Sequence, residues 1–233
     1  MKHVLNEFLD ENEKIKIPSW TKRVKIDVGT SLNAPNSEVW LNEDDELCVF
    51  GFEPNKYNVQ TIKEGQTYWP NHIKKERIGN SFFLVETALS DKLIPEIDFY
   101  CTDGLNTGTS SIYKPTYFDV KEITKVPLIT LEYFFNFFPW EKIEYIDQLK
   151  IDAQASDFNI IKGCGKYLTE RIVYLNVETD TGGQYENNEN PQNIKNYMES
   201  NDFECISWGT DAVFLNKKFK YLINNNKIKY SIL

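Results

Sequence analysis

Short apolar runs of strand length alternate with helix-length mixed segments from Val24 onward, the pattern of a parallel sheet covered by helices. Seven runs read as strands: Val24–Val28, Cys48–Phe52, Ser81–Val85, Ile146–Ile151, Ile172–Val177, Phe203–Trp208 and Ala212–Asn216. Helices are predicted over Ser37–Leu41, Lys56–Ile62, Thr130–Phe137, Asp157–Ile161 and Pro191–Ser200, with an amphipathic lead-in helix over about Val4–Glu13. Only Gly209-Thr210-Asp211 separates the last two strands. That is too short for a crossover helix, so they are expected to pair as an antiparallel hairpin at one sheet edge. The Thr/Ser/Gly-rich stretch TDGLNTGTSSIYKPT, within residues 98–127, breaks the alternation and is read as a long insertion. The expectation is a single α/β domain over residues 1–233, with residues 1–23 as a helical lead-in.

Composition narrows the function classes. With 233 residues, 41% hydrophobic and 26% charged, the chain can bury a sizeable core without disulfides or a structural metal. The longest apolar stretches, Phe82–Val85 and Val126–Trp140, fall short of the roughly 20 residues of a membrane span, and the second carries Glu132 and Asn136. The start, MKHVLNE, lacks the apolar run of a secretory leader, so a cytoplasmic protein is expected, with no membrane partner. A net charge of −9 argues against a nucleic-acid partner, since phosphate neutralisation needs concentrated Lys and Arg. Two short basic stripes, Lys14/Lys16/Lys22/Arg23/Lys25 and Lys217/Lys218/Lys220, read as solvated faces. Cys48, Cys101, Cys164 and Cys205 are dispersed and there are two histidines. No zinc cluster or disulfide framework is expected, and the cysteines read as small buried hydrophobes.

In an open α/β sheet, ligands bind outside the carboxyl ends of the strands, and the unusual residues of this chain cluster there. After the first strand runs DVGTSLNAP, residues 27–35, then a helix opened by Asn36 or Ser37. Gly29 would allow close backbone approach, and the helix start would offer N–H groups to a carboxylate. Gly29 is the only glycine there, and neither GxGxxG nor GxxxxGK[ST] is present. The second strand ends FGFEPN and places Glu53 at its tip, at the separation where an acidic residue meets a ribose diol in nucleotide-binding βαβ units. The plainer reading of Glu53 is a helix cap. In LKIDAQASD, residues 149–157, Lys150, Asp152 and Gln154 alternate onto one face, while Glu178 emerges at the tip of the next strand. Asp152 and Glu178 would thus flank one crevice. With Asp180 they also have the oxygen chemistry that Mg²⁺ takes.

The segments IDVGTSLNAPNSEVWL, VFGFEPN, VETALSD, GTSS, LKIDAQASDFNIIKG and VYLNVE, in this order, resemble the FkbM family of S-adenosylmethionine-dependent O-methyltransferases over about Val24 to Leu215. The resemblance implies a Rossmann-like class I methyltransferase fold: a seven-stranded, mostly parallel sheet with one antiparallel edge hairpin strand and helices on both faces. It also implies S-adenosyl-L-methionine as the cofactor and a small-molecule or glycan hydroxyl as the acceptor. Asp27, Gly29, Ser31, Leu32 and Asn33 would bind that cofactor, the last four around its methionine portion. Glu53 would take its ribose hydroxyls, and Thr87, Ala88 and Leu89 would border its adenine. Asp152 would face its amino group or the reacting centre. Asp152 and Glu178 are the candidate bases, and Lys150 a residue to orient the acceptor or, if desolvated, to serve as the base.

Three departures stand out. The loop's usual second glycine is replaced by the Asn33-Ala34 region, the family's frequent Glu-Gly-Ala-Glu reads Gln154-Ala155-Ser156-Asp157, and no histidine is at hand as a base. They keep open a second expectation, a methyltransferase-fold module that binds without catalysing. A nicotinamide-dependent oxidoreductase would share the acidic strand tip but lacks the glycine fingerprint. Ser110 and Ser111 in the insertion would hydrogen-bond a hydroxylated acceptor or form a simple turn. Phe134, Phe135, Phe137, Phe138 and Trp140 read as core, with a lid or sugar-stacking platform as the alternative.

Overall fold

Strands covered on both faces are mostly apolar along both, and the chain follows that rule except at Lys25, Asp27, Asp147 and Gln148, polar residues buried in its central strands. The computed structural model describes residues 4–65, 71–102, 108–179, 182–187, 189–224 and 228. Its strands are β1 (Arg23–Val28), β2 (Leu47–Phe52), β3 (Phe82–Val85), β4 (Ala88–Leu89), β5 (Ile94–Thr102), β6 (Val120–Ile129), β7 (Ile146–Ile151), β8 (Ile172–Glu178), β9 (Phe203–Ser207) and β10 (Asp211–Asn216). Seven of them form one sheet in the order β3-β2-β1-β7-β8-β10-β9. All seven predicted strands belong to it. β10 runs antiparallel to both β8 and β9, so the reversed strand lies one place in from the edge and β9 is the edge itself.

The helices are α1 (Pro35–Glu43), α2 (Lys56–Glu64), α3 (Leu131–Asn136), α4 (Asp157–Lys162), α5 (Tyr167–Arg171), α6 (Pro191–Ser200) and α7 (Lys220–Asn224). Strand alternation divides them between two faces. Cys48, Phe50 and Phe52 of β2 pack with Phe134 and Phe135 of α3 in the core that also holds Ile160, Ile161, Ile194 and Met198. Leu47 and Val49 point the other way, against Trp40 and Leu41 of α1 and Val59 and Ile62 of α2. The aromatic run reads correctly as core: Phe134 meets Phe50 and Phe52 edge-on, each at 5.3 Å between ring centres.

Four sequence expectations are corrected. The lead-in helix is only a 3-10 turn, Asn6–Phe8. Asp10 Oδ1 accepts the backbone N–H groups of Asn12 and Lys14, diverting them from a helical ladder, and Leu9 instead bridges to Ile15. The 98–127 stretch is not only an insertion: β5 and β6 form an antiparallel pair in a second sheet, ordered β4-β6-β5, and Ser111 between them donates to Gln154 O, just past the end of a main-sheet strand. The first basic stripe is only partly a solvated face: Lys16 and Lys22 are exposed, but Arg23 and Lys25 are not. Lys25 is buried with its ammonium 4.7 Å over the Trp40 ring, and Arg23 is held by Asp147 at 2.5 Å and Asp44 at 2.9 Å. Cys205 is half-buried, unlike the other three cysteines.

Candidate functional site

The sheet reverses its winding between β1 and β7, which are parallel neighbours, and the crevice at such a switch point is where open α/β sheets take ligands. Here it is a cleft of about 780 Å³, counted out to its open mouth.

Its floor is the loop after β1. Gly29 has φ +75°, and a Cβ added to it would lie 1.8 Å from the carbonyl oxygen of Asp152. The glycine therefore serves the approach of one strand tip to the next, where Asp152 N–H donates to Val28 O at 3.1 Å. Ser31 follows with φ +56° and lines the cleft. Such left-handed backbone at a non-glycine residue is the kind of strain that persists at functional sites. Asp27 is fully buried behind the floor rather than in the cleft. Its Oδ2 accepts from the Ser37 hydroxyl at 2.7 Å, and burial pushes its carboxyl pKa up against the opposing pull of Lys150. Leu32 and Asn33 also lie off the cleft; Asn33 O accepts from Ile73 N–H. Helix α1 opens at Pro35 after Ala34, not at Asn36 or Ser37: proline suits a first helical position, and the Ser37 hydroxyl serves Asp27 rather than capping.

At the tip of β2, Glu53 is 4% exposed and lines the cleft. Burial raises its pKa to about 8, although the Asn55 backbone N–H at 2.9 Å favours the charged form. The helix cap is Asn55, whose Oδ1 accepts from Tyr57 N–H. Glu53 is thus a buried carboxyl with hydrogen-bonding capacity turned to the cleft. Thr87, Ala88 and Leu89 form one wall of the cleft, and Phe99 of β5 and Ile112 complete an apolar slot. Those last two were missed in the sequence. The signal was the alternation of Ile97, Phe99 and Cys101 with Asp98 and Tyr100, masked by Pro95 and Pro127, which demote a strand reading. From the same region Ser110 lines the cleft and accepts from Asn55 Nδ2 at 2.9 Å, while the Ser111 hydroxyl donates to Gln154 O at 2.6 Å.

The far side is acidic. Asp152 lies at the mouth, and Lys150 Nζ lies 3.2 Å from its Oδ2 and 4.0 Å from Asp27 Oδ1. Burial opposes its charge, but Lys150, Gln154 and a hydrogen bond with Glu178 hold its pKa below the ordinary value. Glu178, at the end of β8, moves the opposite way, to about 8, through burial and then the Asp152 charge. Gln154 Nε2 joins them, donating to Asp152 Oδ1 at 2.8 Å and Glu178 Oε2 at 3.1 Å. Asp157, the first residue of α4, accepts from Ala153 N–H and is raised to about 7 by burial. Two carboxyl groups pushed to opposite sides of neutrality form an acid–base pair. Lys150 and Glu178 do not themselves line the main cleft; Glu178 faces a small side pocket with Asp157 and Glu189. Asp180 lies outside the described residues, and among those described no group of three or more metal-binding side chains comes together. Nor is any helix among them long and apolar enough to cross a membrane.

Comparison with known proteins gives a family match. The methyltransferase FkbM domain matches residues 27–205. No curated protein sequence matches significantly. Among solved structures, a crystal structure of a fibrillarin/Nop5p complex is similar at 11% identity and a TM-score of 0.42, over 87% of this chain and 74% of that one.

Proposed function

The chain belongs to the methyltransferase FkbM family, and from that premise we propose that it transfers a methyl group from S-adenosyl-L-methionine to a hydroxyl of a sugar, glycan or small natural product. The observation that carries the donor assignment is Glu53, a buried carboxyl turned into a cleft at the sheet's switch point and opposite an apolar slot. Two adjacent ribose hydroxyls would satisfy it, and the bonds are worth roughly 1.5–3 kcal/mol each once it is ionised. Thr87 to Leu89, with Phe99 and Ile112, offer the flat apolar surface an adenine needs. Gly29 and Ser31 form the floor leading to Asp152, whose negative charge suits the donor's cationic end.

The bound donor supplies an electrophilic methyl group for in-line displacement. What the protein adds is alignment and a place for the acceptor's proton. Asp152, ionised beside Glu178, would take up that proton as the acceptor oxygen is methylated. Lys150 keeps Asp152 ionised beside its neighbour. In this reading the enzyme acts in the cytoplasm.

Isothermal titration with S-adenosylhomocysteine tests the donor site. The wild type is expected to bind, and Glu53→Ala to bind roughly 10–100-fold more weakly, the loss of about 1.4–3 kcal/mol. Absence of binding by the wild type would overturn the donor assignment. Binding without transfer to any hydroxylated acceptor in a panel would favour a non-catalytic module.

A further inference from the structure

Tyr185 lies outside the cleft lining and is 2% exposed, yet its hydroxyl is 2.7 Å from Gln154 Oε1 and 2.8 Å from Thr109 O. We infer that Tyr185 is a positioning residue: through the Gln154 amide it holds Asp152 and Glu178 in the arrangement that receives the acceptor's proton. This rests on the methyl-transfer reading above.

Hydrogen-bond inventory supports it. A glutamine amide has two N–H donors, and Gln154 directs both to carboxylates, one to Asp152 and one to Glu178. Turned over, the same amide would present its oxygen to the ionised Asp152 carboxylate, oxygen against oxygen. The Tyr185 hydroxyl has one proton and two acceptors in reach, Gln154 Oε1 and Thr109 O; donated to the nearer Oε1, it opposes that turn from the other end and polarises both N–H groups toward the two carboxyl groups. A glutamate at this position would put a third carboxylate between the two, so the amide is what lets the pair sit together.

The backbone says the same. Gln154 and Ala155 both have positive φ, 53° and 75°, which non-glycine residues adopt only when their surroundings impose it. Ser111 grips Gln154 O at 2.6 Å, and Asn187 Nδ2 donates to Ala155 O at 3.4 Å. Tyr185 is anchored in turn. Its segment is tied to residues 114–116 by Thr116 N–H to Gln184 O at 2.8 Å and Glu186 N–H to Lys114 O at 3.0 Å. Residues 114–116 and 184–186 thus pair with each other, and Tyr185 brings its hydroxyl to the Gln154 side chain.

The test is side-chain carboxyl ¹³C NMR between pH 5 and 10 on the full chain, for wild type, Tyr185→Phe and Gln154→Met, with Glu178→Gln assigning the resonance. Tyr185→Phe keeps the ring and removes only the hydroxyl. Its S-adenosylhomocysteine affinity should stay within about twofold of wild type, because Tyr185 does not line the cleft. The upper titration midpoint of the Asp152–Glu178 pair should rise by about 0.5 unit, and by more in Gln154→Met, since the donors that favour the charged form are weakened or lost. The other groups facing Glu178 are Lys150 of β7, Asp157 of α4, Asp211 of β10 and Glu189 before α6; they are unchanged in both variants. A midpoint in Tyr185→Phe that coincides with wild type would overturn the inference. Should that variant fail to fold, an unmoved midpoint in Gln154→Met would overturn it equally. Failure of the wild type to bind S-adenosylhomocysteine would sink the donor assignment alone, because the titration is read without ligand.

Discussion

Gly29 shows how one residue type was read correctly for an incomplete reason. Its sequence position suggested room for a ligand; in the fold, the missing side chain makes room for the Asp152 carbonyl, which brings two strand tips together. Gly29→Ala is therefore expected to destabilise the protein by about 2–3 kcal/mol, through both the clash and the φ of +75°, and to lose S-adenosylhomocysteine binding; thermal melting and titration calorimetry check it. Glu53 falls at the cleft because it directly follows the last residue of β2, and the helix-cap reading fails because Asn55 caps α2 instead. The place of Asp27 was not legible, since proximity in sequence to Gly29 says nothing about which face of β1 the side chain takes; alternation sends it behind the floor, to Ser37.

At the scale of elements, burial on both faces left most of the main strands readable as predominantly apolar runs, with Lys25, Asp27, Asp147 and Gln148 as buried polar exceptions. Helix α6 is found with the predicted ends, having Pro191 at its first position and Asn190 as its cap. β5 and β6 escaped notice because each has one wet face and a proline. The lead-in failed because apolar spacing at Leu5 and Phe8 is compatible with a single turn as well as with a helix. Helix α3 supports the sheet from beneath through its aromatic side chains, without touching the cleft. Phe134→Ala should cost about 3–5 kcal/mol by urea unfolding, since four aromatic neighbours surround the ring.

The whole molecule carries an unusual load of buried carboxyl groups. Glu53 and Glu178 are raised to about 8, Asp157 to about 7 and Asp147 to about 6, each chiefly by burial. Between about pH 4 and 8 the native state therefore keeps protons that the unfolded chain has released, so stability falls as pH rises through that window. Lys25, lowered to about 8 by burial, works the other way only above pH 8, where the native state has lost a proton the unfolded chain retains. The melting temperature of the ligand-free protein is expected to fall by several degrees between about pH 5.5 and 8, and differential scanning calorimetry across that range checks it.

Strand identity, sheet class and the list of acidic tips were settled locally, because burial on two faces leaves its mark on every residue of a parallel strand and a carboxylate at a strand end is conspicuous. The pairing of those tips was not. That Asp152 backs onto Gly29, that Gln154 spans two carboxylates, and that Tyr185 from a distant segment reaches Gln154 depend on contacts between residues tens of positions apart. Such contacts have no period and no spacing in the chain. Protonation follows them, since the same two carboxyl types end on opposite sides of neutrality only once burial and neighbouring charges are in place.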